Sequence, residues 1–196
     1  DDAILLYLHG GGYSFYAAVT KYFAKMLSCI LKRKLFALDY RLTPENKHPA
    51  QQEDAIAAYQ YLLKNGHNPN EIVLIGDSAG GHLVLMTLLA IKKLGLPQPA
   101  AVIGLCPWTD IGNRGESLVS NNIYDLVQGN MALQFGEWLI DKKTQTREEL
   151  SPIFHDFSGT APIYLQGGEY EVLIDMIREF ANVLKSQKCD ITFDVF

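Results

Sequence analysis

A regular alternation of short apolar runs with segments of helical periodicity constrains the fold of this chain more than any other feature. In residues 19–31 and 55–63, apolar side chains recur every three or four positions, as on one face of a helix. Short apolar strands that alternate with helices are typical of a mostly parallel sheet with helices on both faces. We therefore predict an α/β fold with strands at residues 4–8, 35–38, 72–75, 101–106, 163–166 and 191–196.

The third of these runs leads directly into the pentapeptide Gly-Asp-Ser-Ala-Gly at residues 76–80. A serine held between small residues at a strand-to-helix turn is how one large enzyme class exposes a nucleophile. The glycines permit a sharp turn and close packing because they carry no Cβ. Since such a turn can also be a plain connection, Ser78 needs a second signal.

A glycine string supplies that signal, because His9 and the three glycines at residues 10–12 follow the first apolar run. Bare backbone N–H groups in such a string can point at a ligand atom, which is the geometry of an oxyanion hole. Active sites of parallel sheets lie beyond the carboxyl ends of the strands. Residues 9–12, Ser78 and residues 167–171 all follow strand ends, so they are expected to converge on one edge of the sheet.

These motifs together resemble the hormone-sensitive lipase family of the α/β-hydrolases, in its bacterial carboxylesterase branch. The resemblance covers nearly all of the chain. It implies an α/β-hydrolase fold and a serine carboxylesterase that cleaves short or medium acyl esters through an acyl-enzyme, with Ser78 as nucleophile. The matching segments, in the family's order, are residues 9–12, 39–45, 76–81, 107–110 and 151–152.

Ester cleavage requires donors for the oxygen that becomes charged and a base for the serine proton. We expect the donors to be the backbone N–H groups of Gly11, Gly12 and Ala79, the last being the residue after the nucleophile. A tight turn without a catalytic part is the alternative for the glycines. His9 is expected to orient the loop by hydrogen bonding.

The resemblance places the triad acid after the strand at residues 163–166, and its pattern aligns with Glu171. The family more often has Asp at that point, so Glu169 and Asp175 stay as alternatives. Each of the three can instead be a carboxylate at the N-terminus of a helix, where the dipole favours it.

The triad order in this fold is Ser, acid, His, and no histidine follows Glu171. The resemblance places that histidine in a loop after the strand at residues 191–196. Both ends of the chain therefore look truncated, and the 196 residues by themselves are expected to be nearly inert. His82 is expected to point along the surface of its helix rather than at the Ser78 hydroxyl, and His155 is the histidine to test as a substitute.

Residues 109–150 interrupt the alternation and separate two strands by far more than an ordinary connection. The resemblance favours a cap over the catalytic edge, with a helix at residues 131–141, on a single domain that spans residues 1–196. A surface excursion without a catalytic part is the alternative. The candidate pocket residues, each equally consistent with ordinary packing, are Tyr13, Trp108, Tyr124, Leu126 and Phe135.

Composition excludes several other classes of protein. The net charge of -5 gives no basic footprint for nucleic acid. The longest apolar stretch, residues 83–91, is too short for stable membrane insertion, and without a visible signal peptide we expect a cytoplasmic protein. The five histidines lack the clustered spacing of a metal site, and we expect no cofactor. The expected partner is a small-molecule ester, and a homo-oligomer is allowed.

Two structural expectations concern side chains outside the catalytic motifs. Cys29, Cys106 and Cys189 are an odd number without short spacings, so we expect buried thiols rather than disulfides or zinc ligands. Arg41 and Glu45 are expected to pair and fix a loop beneath the site.

Two alternative functions stay open at this point. One is a non-catalytic ligand-binding member, similar to the gibberellin receptors, which resemble this family but have lost the histidine. The other is an amidase or acyltransferase, which shares the first half-reaction with an esterase.

Overall fold

The computed structural model describes residues 3–112 and 114–196. It contains one sheet of six strands, and every neighbouring pair of strands is parallel. The strands are β1 (Ile4–Leu8), β2 (Lys34–Leu38), β3 (Ile72–Asp77), β4 (Ala101–Leu105), β5 (Ile163–Gly167) and β6 (Ile191–Val195). Their order across the sheet is β2-β1-β3-β4-β5-β6. The predicted α/β fold is confirmed, and each predicted apolar run is a strand.

Helices connect the strands and cover the sheet. They are α1 (Ala18–Leu31), α2 (Ala50–Lys64), α3 (Ala79–Lys93), α4 (Ser117–Ser120), α5 (Gly129–Leu139) and α6 (Ile174–Ser186). Helix α5 begins two residues earlier than the helix predicted at residues 131–141, and it ends two residues earlier. None of the helices in the described part of the chain combines the length and apolar character that a membrane crossing needs.

Alternate residues of the central strands serve two cores on opposite faces of the sheet. Leu6 and Leu74 belong to the larger core, which includes α2 and α3. Leu5, Tyr7 and Ile75 face the other side, where they pack with α1. Side chains of β1 are buried along its whole length, because helices cover both faces of this strand.

The approach of α3 to β1 positions the candidate nucleophile. Gly76 ends the apolar part of β3, and Gly80 lies in the first turn of α3. A Cβ atom at Gly80 would overlap the carbonyl oxygen of Leu8 and come within 2.6 Å of the carbonyl carbon of His9. Glycine therefore allows the strand-to-helix turn to pass directly against the end of β1.

Two expectations about side chains are wrong. Cys29 is exposed on α1 rather than buried, because its helical position faces away from the sheet. Arg41 pairs with Glu53 and Asp54, at 3.0 and 2.9 Å, and not with Glu45. The first two turns of α2 bring these two carboxylates against the arginine, so proximity in sequence was a poor guide to its partner.

Candidate active site

Ser78 occupies the turn between β3 and α3 in a backbone conformation that L-residues rarely adopt, with φ 52° and ψ −116°. Three hydrogen bonds hold this strained turn. Its N–H donates to Leu105 O at 2.9 Å, and its carbonyl accepts from the N–H groups of His82 at 3.0 Å and Trp108 at 3.1 Å. Strain of this kind persists only where the surroundings determine the backbone. Within the residues that the structure describes, the Ser78 hydroxyl makes no hydrogen bond and lines a cavity.

Asp77 connects the nucleophile turn to the glycine loop. Its Oδ1 accepts from Tyr7 OH at 2.6 Å and from the N–H of Gly10 at 3.0 Å. Burial, together with the adjacent Asp77 carboxylate, raises the pKa of Tyr7 far above its usual range. Tyr7 therefore stays protonated and acts as a donor, and the ends of β1 and β3 are fixed to each other.

The glycine loop presents free donors beside Ser78. Gly11 and Gly12 have φ angles of 107° and 59°, and the carbonyl of Gly11 accepts from the N–H groups of Ser14 and Phe15 at 2.9 and 3.0 Å. Across residues 3–112 and 114–196, the N–H groups of Gly11, Gly12 and Ala79 donate to no other group. Unpaired backbone donors at such a turn are available to a developing negative charge.

His9 is locked behind this loop. Its ring is stacked between Tyr16 and Tyr40, with centroid distances of 4.2 and 4.1 Å. Nδ1 donates to Gly10 O at 2.7 Å, and Tyr40 OH donates to His9 O at 2.6 Å. Burial lowers the pKa of His9. A neutral imidazole held in this way orients the glycine loop and is poorly placed to exchange protons with Ser78.

A cavity of ≈ 430 Å³ opens above Ser78. Its floor is the glycine loop with Asp77 and Ser78, and its wall is largely apolar. A cavity of this size and character accommodates a small organic molecule rather than a polymer. The apolar wall residues include Phe15, Trp108, Leu126, Val127, Met131, Phe135 and Leu173.

Three of the five candidate pocket residues, Trp108, Leu126 and Phe135, lie in this wall. The other two do not. Tyr13 is buried beneath the loop with its hydroxyl against His82. Tyr124 is 63% exposed and packs on Tyr170. Neither tyrosine lines this cavity, and both have the packing role that was the alternative for them.

The three carboxylates considered for the triad acid have different surroundings. Glu169 forms an exposed ion pair with Arg178. Asp175 accepts a hydrogen bond from the N–H of Ser117 at 2.9 Å. Glu171 is half-buried, and among the described residues its Oε2 has no hydrogen-bond partner. Burial is the main cause that raises the pKa of Glu171. Of the three, only Glu171 has a buried carboxylate oxygen without a hydrogen-bond partner among the described residues.

The segment before α5 is bonded to the Glu171 loop, and sequence reasoning missed this connection. Asp125 Oδ2 accepts from the N–H of Val172 at 2.8 Å. Asn121 donates its side-chain amide to the carbonyl of Glu171 at 3.0 Å. The neighbours of Asp125 in sequence, Leu126 and Val127, line the cavity. The cavity wall and the loop that carries Glu171 are therefore one hydrogen-bonded unit.

The histidines do not surround Ser78. His82 is 1% exposed, and its ring bonds to Tyr13 and Leu150 rather than to the Ser78 hydroxyl. His155, considered as a substitute base, lines a separate cavity with His48 and Lys92. In the described portion of the chain, no group of His, Cys, Asp and Glu side chains is arranged to hold a metal ion.

Comparison with known proteins gives consistent relatives. A family model described as alpha/beta hydrolase fold matches residues 5–196. An acetyl-hydrolase of Streptomyces hygroscopicus is 33% identical over 196 residues, which are 99% of this chain and 66% of that protein. An esterase of Acinetobacter venetianus is 30% identical over 192 residues, 96% of this chain and 62% of that protein. The chain thus spans about two thirds of the length of these curated relatives.

Solved structures agree with the sequence relatives. An esterase from the bacterial hormone-sensitive lipase family superposes with a TM-score of 0.93 at 36% identity, covering 100% of this chain and 67% of that one. EstE5, in a crystal soaked with p-nitrophenyl butyrate, gives a TM-score of 0.91 at 31% identity, with 100% and 66% coverage.

Proposed function

Because the chain belongs to the alpha/beta hydrolase fold family, in its hormone-sensitive lipase branch, we propose that it is a carboxylic ester hydrolase with Ser78 as its nucleophile. The observation that carries the proposal is the unbonded Ser78 hydroxyl, held on a strained turn inside a cavity whose floor is a glycine loop with free N–H groups. The relatives named acetyl-hydrolase and esterase support the same reaction class.

In the first step, Ser78 Oγ attacks the acyl carbon, and its proton passes to a base. The carbonyl oxygen becomes an oxyanion and accepts hydrogen bonds from the N–H groups of Gly11, Gly12 and Ala79. Removing one such donor from an oxyanion hole costs about 3 to 4 kcal/mol of transition-state stabilisation. The backbone donors need no rearrangement, since the turn and the loop are already fixed by Asp77 and His9.

The resemblance assigns the base to a histidine in the loop after β6. Strands β5 and β6 are parallel, so their carboxyl ends share one edge of the sheet. Phe196 reaches the Glu171 loop, because its N–H donates to Gly167 O at 3.0 Å and its carbonyl accepts from the N–H of Glu169 at 2.7 Å. The carboxyl end of β6 therefore lies against the segment that leads to Glu171, whose carboxylate would hold the imidazole of such a histidine in the required tautomer.

The remaining steps follow from the same groups. The tetrahedral intermediate collapses, and the alcohol leaves with the proton that the imidazolium returns. Water then attacks the acyl-enzyme, its proton passes to the imidazole, and the acid is released as Ser78 Oγ regains a proton. No cofactor takes part in these steps.

We propose substrates with uncharged acyl groups of short or medium length, because the character of the cavity suits them. Its wall is formed by apolar side chains, several of them from the segment at residues 109–150, which acts as a cap on a single domain. A charged acyl group would lose its hydration there without gaining a counter-ion.

The test is hydrolysis of p-nitrophenyl butyrate by the intact protein, which in this proposal carries the histidine after β6, and by its Ser78→Ala variant. We expect the variant to lose about 10⁴-fold or more in kcat, as for removal of other catalytic serines. Ser186→Ala is the matched control, because Ser186 is exposed at the end of α6 and its hydroxyl, among the described residues, bonds only to Val183 O.

Full activity in the Ser78→Ala variant would contradict the proposal. An ester that binds without release of nitrophenolate would instead favour the ligand-binding alternative. Faster turnover of the matching anilide than of the ester would favour an amidase.

A further inference from the structure

His82 is a buried titratable residue that the proposed reaction does not use. It lies in α3 one turn after Ser78, and its backbone N–H donates to Ser78 O at 3.0 Å. Its ring nitrogens are both engaged, Nδ1 with Tyr13 OH at 2.5 Å and Nε2 with Leu150 O at 2.6 Å. A histidine with two bonded nitrogens and 1% exposure is not available to exchange protons with a substrate.

The acceptors determine the tautomer of His82. Leu150 O is a carbonyl and can only accept, so Nε2 carries the proton and donates it. Nδ1 is then an acceptor in the neutral ring, and the Tyr13 hydroxyl donates to it. The link therefore has one direction, from Tyr13 through the imidazole to Leu150.

These contacts join three parts of the site. Tyr13 directly follows Gly12, the last glycine of the candidate oxyanion loop. His82 belongs to the helix that starts at the nucleophile turn, and Leu150 is a buried residue where the cap segment returns to the sheet. One imidazole ring thus fixes the distance between the loop donors and the nucleophile helix.

The backbone of Tyr13 indicates that the surroundings hold it in place. Its φ is 64°, which is unusual for an aromatic residue. Its carbonyl accepts from the N–H of Thr43 at 2.9 Å, but the side-chain bond to His82 connects it to the nucleophile helix. Losing that bond leaves a strained residue free to relax, and Gly12 is its direct neighbour.

We propose that His82 is a positioning residue for the oxyanion hole, which through its hydrogen bond to Tyr13 sets the N–H groups of Gly11 and Gly12 relative to Ser78 Oγ. The inference rests on the proposed esterase function. A merely structural histidine would stabilise the fold without changing kcat in the folded enzyme.

The test compares kcat and KM of Tyr13→Phe, His82→Phe and the double variant with p-nitrophenyl butyrate. We expect kcat to fall by roughly ten- to a hundredfold in each single variant, because a shift of about 1 Å in a catalytic group costs up to about 10². KM should change little, since the cavity wall is intact. The kcat of the double variant should be no lower than that of the less active single variant, because both changes break the same link.

Two further variants separate positioning from folding. Tyr59→Phe is the matched control, because it removes the hydrogen bond from another buried tyrosine, to Pro97 O at 2.7 Å, far from Ser78; its kcat should equal that of the wild type. His82→Asn places an amide oxygen near the position of Nδ1 and should recover part of the kcat that His82→Phe loses.

Wild-type kcat in folded Tyr13→Phe or His82→Phe protein would overturn the inference, as would losses that simply add in the double variant. If His82→Phe does not fold, the comparison of kcat between Tyr13→Phe and Tyr59→Phe decides whether the link positions the oxyanion hole. An intact wild-type protein without esterase activity, or an active Ser78→Ala variant of it, would refute the proposed function itself and the inference with it.

Discussion

At the scale of single residues, the candidate site depends on positions where a side chain is absent as much as on Ser78 itself. Gly76 and Gly80 let α3 begin against the end of β1, and Ala79, whose N–H is the third candidate donor, is the first residue of that helix. The Ser78 hydroxyl is presented because its own backbone is strained and held by Leu105, His82 and Trp108.

We expect Gly80→Ala to destabilise the protein by roughly 3 kcal/mol or more, because its Cβ would overlap backbone atoms of β1 that cannot move aside. Esterase activity should fall with it, since relief of the overlap moves α3 away from the glycine loop. Urea unfolding and hydrolysis rates measure the two effects.

Gly66→Ala provides the comparison, because a Cβ there meets nothing within 4 Å. Because Gly66 has a φ of 86°, we expect Gly66→Ala to lower the free energy of unfolding by about 1 to 2 kcal/mol through backbone strain alone. Gly80 does not have a left-handed φ, so a destabilisation by Gly80→Ala no larger than that by Gly66→Ala would contradict the requirement imposed by the close approach of β1.

Short-range patterns were sufficient to find Ser78 and the glycine loop, since strand, turn and helix follow one another directly in sequence. They could not find the link between Tyr13 and His82, whose members are 69 positions apart. Nor could they find the true partners of Arg41, because the orientation of α2 decides which carboxylates reach it. Side-chain partners across elements depend on packing that a local pattern does not contain.

At the scale of elements, the apolar runs predicted the strands to within two residues, and helix α5 was displaced by two. The unpredicted feature is the bonding between the cap segment and the loop after β5. Ser117 donates its hydroxyl to Val172 O at 2.8 Å, and Asp125 accepts from Val172 N–H. These contacts make the position of Glu171 depend on the wall of the cavity.

We therefore expect Asp125→Ala to loosen the Glu171 loop. The N–H of Val172 loses its acceptor, so its hydrogen exchange should become at least about tenfold faster, corresponding to about 1.4 kcal/mol for one buried hydrogen bond. In the proposed mechanism kcat should fall with it, since the acid no longer orients the base.

Asp141→Ala is the control, because Asp141 likewise accepts from a nearby backbone N–H, that of Lys143 at 3.2 Å, but among the described residues makes no hydrogen bond to the Glu171 loop. Unchanged exchange at Val172 in the Asp125→Ala variant would rule out the proposed coupling between cap and acid.

At the scale of the whole molecule, the parallel sheet gathers distant sequence positions at one edge. The ends of β1, β3 and β5 carry the glycine loop, Ser78 and the Glu171 loop. The sequence allowed this convergence to be predicted because all parallel strands end on the same side. The side chains that line the cavity depend on the path of the segment at residues 109–150, which a local pattern does not contain. For that reason Tyr124 was proposed as a pocket residue although it does not line the cavity.

Buried histidines make the stability of the whole molecule depend on pH. Burial lowers the pKa of His82 to about 4 and also lowers the pKa values of His9 and His48. Their ordinary value, near 6.5, applies in the unfolded chain. Between pH 6.5 and 4 the unfolded state therefore binds more protons than the folded state, and the free energy of unfolding decreases as the pH falls.

For His82 alone, the difference between its two pKa values corresponds to about 3 kcal/mol, fully present above pH 6.5 and lost by about pH 4. Urea midpoints should stay nearly constant from pH 7.5 to 6.5 and then fall from pH 6.5 to 4.5. The His82→Asn variant, which cannot gain the proton, should show a shallower slope between pH 6.5 and 4.5. The pKa of Asp156 is lowered to about 2, so this carboxylate changes the free energy of unfolding only below the measured pH range. Identical slopes for the two proteins would mean that His82 accepts a proton in the folded state, which its bonds to Tyr13 and Leu150 oppose.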